Sequence, residues 1–61
     1  MLVQKINMDV EAEVVEIVVV DANGVEDKIV VNAAVENYAI EETAEAVIIT
    51  INADTSIVVK K

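Results

Sequence analysis

Apolar and polar residues alternate, slip and alternate again along this chain, and the slips are as informative as the alternation. Val10, Ala12 and Val14 take turns with Asp9, Glu11 and Glu13, as expected of a strand with one wet face. The pattern breaks at Val14-Val15. A β-bulge there would keep Glu11, Glu13 and Glu16 on one side, because one extra residue reverses the facing of everything after it. Val18 and Val20 then fall on the face of Glu16 and need cover. Either the strand is central and covered on both faces, or its second face meets another subunit.

The strongest punctuation is Asp21-Ala22-Asn23-Gly24, where Asn-Gly suits the positive φ angles of a tight hairpin turn. The β-branched run Ile29-Val30-Val31 pairs back behind it. A two-residue turn would set Asp21 opposite Glu26, a costly like-charge pair, so a longer loop is the alternative. A second hairpin, over about 46–60, turns at Asn52-Ala53-Asp54-Thr55. Its Ile57-Val58-Val59 echoes Ile29-Val30-Val31, a faint internal repeat. At the N-terminus, 2–6 reads as a further strand that Asn7 ends.

Between the hairpins lies an Ala- and Glu-rich stretch. Asn32 is an acceptable N-cap, and Val35, Tyr38 and Ala39 fall at helical spacing, so a short helix is expected over about 33–44. The same residues also alternate as a strand, with Val31, Ala33 and Val35 on one side. The expected fold is therefore α+β and predominantly antiparallel β, in a single domain. It has two hairpins (about 10–32 and 46–60), an N-terminal strand and one short helix. An all-β small barrel or sandwich is the alternative.

Composition narrows the chemistry. Arg, His, Cys, Phe, Trp and Pro never occur, while Val and Ile supply 22 of 61 residues, an alphabet for β-rich layers. Such a short chain buries a marginal core, and without Cys or His neither disulfides nor an ordinary structural zinc can support it. Oligomerisation is the support that remains. Twelve acidic residues against four lysines leave a net charge of -8, which disfavours both phosphate-directed nucleic-acid binding and anionic membrane surfaces. No apolar run is long enough to span a bilayer and no signal peptide is visible, so a soluble cytoplasmic protein is expected.

Candidate catalytic residues are absent, because nucleophilic triads need a base such as His beside Ser or Cys. No cofactor is expected. Asp21, Asn23, Gly24, Glu26 and Asp27 have the oxygen chemistry of a calcium loop, yet with Gly24 at the loop's sixth position Val19 and Val30 fall where the first and last carboxylates belong. No metal site is expected either. Glu11, Glu13 and Glu16 form the candidate partner-binding face, suited to a basic protein; the same charges would also guard a Val-rich sheet against aggregation. Val18, Val20 and the single aromatic, Tyr38, form the candidate homo-oligomer interface, although Tyr38 equally suits a core edge with its hydroxyl in solvent.

Over the C-terminal half, the order of a turn, the strand Ile29-Val30-Val31, a short helix, a strand at 47–51, a turn and a strand from Ile57 resembles the swapped-hairpin barrel of AbrB and MazE-type transcription factors. That resemblance implies a dimeric β architecture. It does not carry over DNA binding, for which this chain lacks Arg. The expected function is a non-catalytic, self-associating acidic protein that occupies a partner as an inhibitor or adaptor. The alternatives are a self-assembling structural or designed scaffold of restricted alphabet, and an oligomer that sequesters a small molecule.

Overall fold

Six strands account for most of the chain: β1 (Leu2–Asp9), β2 (Val14–Val20), β3 (Glu26–Asn32), β4 (Ala39–Glu42), β5 (Ala46–Asn52) and β6 (Thr55–Lys60). The computed structural model describes all 61 residues and contains no helix. Every pairing is antiparallel between neighbours in sequence, giving two three-stranded meanders, β1-β2-β3 and β4-β5-β6. Their apolar faces share one core.

The period-two pattern explains how that core assembles. On β2, Val15, Ile17 and Val19 point inward; on β5, Val47, Ile49 and Ile51 do the same, and Val59 of β6 completes the fully enclosed cluster. Opposed residues in an antiparallel pair share a face. Val31 and Ile29 therefore flank Val15 and Ile17 from β3, while Ile57 flanks Ile49 from β6. The faint repeat now has a structural meaning: Ile29 and Ile57, and likewise Val31 and Val59, occupy equivalent places in the two meanders. Only eight residues are buried, and none of them is polar or charged. With three strands per layer the molecule is a thin slab, 34 × 21 × 13 Å between Cα extremes.

Four expectations are corrected. No helix forms over 33–44, because sheet B (β4-β5-β6) takes its third strand from Ala39–Glu42 and the preceding segment crosses between the sheets without regular structure, bending at the left-handed Asn37 (φ 57°). Ala33, Val35 and Tyr38 pack against the core from that crossover, so tertiary burial outweighs the helix propensity of Ala and Glu. The Val31, Ala33, Val35 alternation was the informative one. Without that helix, and with two separate meanders, the swapped-hairpin barrel is not the architecture adopted here.

The bulge at Val14-Val15 does not exist either. Nor does Asn7 end the first strand: β1 runs through it to Asp9 and a turn occupies residues 10–13, so the hairpin expected from about residue 10 starts at Val14, which begins a regular strand with the doublet at its edge. The irregularities lie between Val3 and Lys5 in β1 and between Thr50 and Asn52 in β5. The choice left open at the first hairpin falls to the longer loop, since Val20 pairs with Glu26 and Asp21 to Val25 connect the strands. The Asp21 amide donates to the Val25 carbonyl at 3.0 Å, so Ala22, Asn23 and Gly24 form a three-residue loop; Gly24 alone takes positive φ there (81°), while Asn23 does not, as in a loop closed by a glycine bulge. One Asp21 Oδ1 accepts the amides of Asn23 (2.8 Å) and Val25 (3.0 Å), so the loop is organised by a side chain upstream of Asn-Gly.

Candidate functional site

The two faces of sheet A (β1-β2-β3) differ in kind. Its outer face carries Val14, Glu16, Val18 and Val20 along β2, all half-buried. Lys5 and Lys28 stand opposite Val18 on either side, and Leu2 and Glu26 flank Val20. Lysine stems can lie over an apolar neighbour while the ammonium stays wet, a covering suited to a half-buried valine without a second layer. The Lys28 Nζ also reaches Glu16 Oε1 at 3.7 Å, an exposed pair of small energetic weight. Lys5, Glu16, Val18, Glu26 and Lys28, with Gln4 and Asn7, line an open hollow of about 500 Å³ on this face.

The candidate acidic residues separate. Glu16 sits on that outer face of β2, whereas Glu11 and Glu13 lie in the β1–β2 turn at the end of the sheet. Expecting them on one strand required Val10 to begin it; the turn, held by the Ala12 amide on Asp9 Oδ1 at 3.0 Å, takes its place. Glu13 adopts a left-handed conformation (φ 55°) while its carbonyl accepts the Ala33 amide at 2.9 Å. A side chain in that region costs about 1–2 kcal/mol, part of which Gly returns through its own unfolded-state entropy. Glu13→Gly is therefore expected to raise stability by up to about 1 kcal/mol, and Glu13→Val to lower it by about 1 kcal/mol or more, read from urea midpoints at constant slope.

Val18 and Val20 lie half-buried on the outer face of β2, and Tyr38 lies elsewhere in the fold. Tyr38 ends the crossover and packs against the shared core of its own chain. Burial pushes its phenol above the ordinary tyrosine value, so the neutral form is the one the fold favours.

The other concave surface lies at the crossover. Asn32, Ala33, Ala34, Glu36, Asn52, Ala53, Asp54 and Thr55 line a groove of about 410 Å³. Its walls are tied together by Asn52, whose Nδ2 donates to the Ala34 carbonyl at 2.7 Å while its Oδ1 accepts the Asp54 amide at 2.9 Å. The β5 irregularity leaves Ile51 without an opposed residue on β6, and the Ile51 carbonyl accepts the Glu36 amide at 2.9 Å instead. No group of three or more acidic side chains is gathered closely enough to hold a metal ion, in this groove or at the Asp21 loop.

No protein-family model matches the chain, and no curated protein or solved structure matches it either. Its own surface is thus the guide to what it does. That surface has two notable properties: large apolar side chains left in solvent, led by Leu2, Val10, Val30 and Val58, and four strand edges (β1, β3, β4 and β6) whose outward backbone groups have no partner strand. No helix is long and apolar enough to cross a membrane. Sequence patterning pointed to the β2 face; the edges were not visible to it, because strand order is a property of the fold.

Proposed function

We propose that this protein is a non-catalytic interaction module that self-associates and occupies a protein partner in the manner of an inhibitor or adaptor. One observation carries this reading: eight residues are buried, while eight large hydrophobic residues remain 43–66 % exposed. A core that small is marginal by itself, and apolar side chains along open sheet edges are what a second chain would cover. The acidic residues suit a basic partner, with Glu11 and Glu13 projecting from the end of one sheet and Glu16 on its outer face. Electrostatic steering of that kind acts chiefly on the association rate.

Sedimentation equilibrium and salt-dependent binding test the two halves of the reading. The chain is expected to run as an oligomer at micromolar concentration, and a monodisperse 6.6 kDa species that unfolds cooperatively would refute self-association. A captured basic partner should associate at least tenfold more slowly once Glu11, Glu13 and Glu16 are all changed to Lys, because the steering term reverses sign. An unchanged rate would move the partner site to the apolar edges.

A further inference from the structure

We infer that β6 is the edge through which two copies of this chain join, antiparallel and with Val58 opposite its own symmetry mate, so that the two β4-β5-β6 sheets become one six-stranded sheet. The inference rests on the self-association reading above and specifies its partner, edge and register.

The four edges are not equally available. β1 is interrupted by the irregularity between Val3 and Lys5, and β4 is four residues long with Glu41 and Glu42 in it; both are features that discourage edge pairing. β3 starts with three charged residues, Glu26, Asp27 and Lys28. β6 alone offers an unbroken uncharged stretch from Thr55 to Val59, with Val58 56 % exposed on its outer face.

Hydrogen-bond phase fixes which groups are free. The Lys61 amide donates to the Glu45 carbonyl at 2.9 Å, next to the Ala46–Lys60 pair. In an antiparallel ladder the facing alternates, so Ile57 and Val59 turn their N–H and C=O toward β5 while Ser56, Val58 and Lys60 turn theirs outward. A two-fold axis through Val58 matches these outward groups to themselves: Val58 meets Val58 and Ser56 meets Lys60, each as a pair exchanging two backbone hydrogen bonds. On the inner face, Ile57 of one copy falls beside Val59 of the other, continuing the core across the junction.

Charge selects a second copy as the occupant. The chain as a whole is strongly acidic and repels itself, but Lys60 and Lys61 make the far end of β6 its one basic segment; Lys61 Nζ pairs with Glu42 Oε2 of its own chain at 3.2 Å, whereas Lys60 forms no ion pair. Antiparallel pairing sets the unpaired Lys60 opposite Ser56 of the partner copy, two residues from that copy's Asp54, and no like charges stand opposite each other. The contact is isologous, so it closes at two chains.

Sedimentation equilibrium with amide exchange followed by NMR tests this. The native chain should show twice the 6.6 kDa chain mass, with Ser56, Val58 and Lys60 amides protected at high concentration and released on dilution. Val58→Lys should yield the single-chain mass and lose that protection. Val30→Lys, at an equally exposed outer position on β3, should leave both unchanged. Should Val58→Lys fail to fold, the exchange pattern of the native chain decides alone, and uniformly fast exchange at those three amides overturns the proposal. An oligomer that survives Val58→Lys overturns this edge and leaves self-association standing; a native chain that is monomeric overturns both.

Discussion

Replacing Ile17 with Ala is expected to leave the chain largely unfolded at room temperature. Ile17 is fully enclosed at the centre of β2, and Ile49 holds the equivalent place on β5. Removing that much buried side chain costs about 2–5 kcal/mol, through lost transfer energy and the cavity left behind. A domain of this length has a total stability of roughly 3–9 kcal/mol, so the loss is of the same order as the whole. Ile17→Val removes one methylene and should cost only about 0.5–1.5 kcal/mol, keeping a cooperative transition. Urea denaturation followed by circular dichroism checks both, with Ile49→Ala expected to match Ile17→Ala within about 1 kcal/mol. A mild Ile49→Ala beside a severe Ile17→Ala would mean that the two sheets do not unfold as one unit.

Asn52 is the next most consequential side chain, and its effect should depend on pH in a way that Ala cannot imitate. Asn52→Ala removes the donor to Ala34 and the acceptor for the Asp54 amide, leaving a partly buried carbonyl without a partner, at about 1–3 kcal/mol. Asn52→Asp keeps the acceptor but points a carboxylate at the Ala34 carbonyl, in a groove that already holds Glu36 and Asp54. The ionised form is disfavoured in the folded state, so the pKa of the introduced group rises above its unfolded value of about 3.9. Stability is then intact below the unfolded pKa and lost as pH climbs through the folded one. Measured against the native chain, the Asp variant should be the less stable of the two substitutions at pH 7 and the more stable near pH 3, where the protonated acid can donate as Asn does. Thermal melts at the two pH values decide it; parallel curves for the Ala and Asp variants would show that the Asn52 donor does not hold the crossover.

The strands with a single wet face were legible residue by residue. The β-branched run before Asp21, the Ile29 and Ile57 runs and the Asn52 turn all emerged from period-two patterning and turn chemistry. What patterning misplaced was decided by partners distant in sequence. Residues 33–38 have the local preference of a helix, but Asn52 and the Ile51 carbonyl tie that segment into an irregular crossover, and neither bond can be foreseen from Ala and Glu. The acidic trio was misread for a smaller reason. A four-residue turn that happens to alternate Val, Glu, Ala, Glu is indistinguishable from a strand until its left-handed Glu13 is seen. Strand edges were beyond reach altogether: β6 reads as an ordinary apolar run, and only its place at the end of a sheet makes it available.

The pairing of each strand with its neighbour in sequence also sets how the chain reaches this state. No ladder joins residues further apart than Leu2 with Val20 or Val14 with Asn32, so each meander closes only short loops and loses little chain entropy before its hydrogen bonds form. Separation along the chain is what slows most all-β proteins, and here it is confined to one event, the collapse of one finished meander onto the other across the crossover. Folding should accordingly be fast for a molecule without helices, with its barrier at that collapse, where Ile17 and Ile49 become enclosed together.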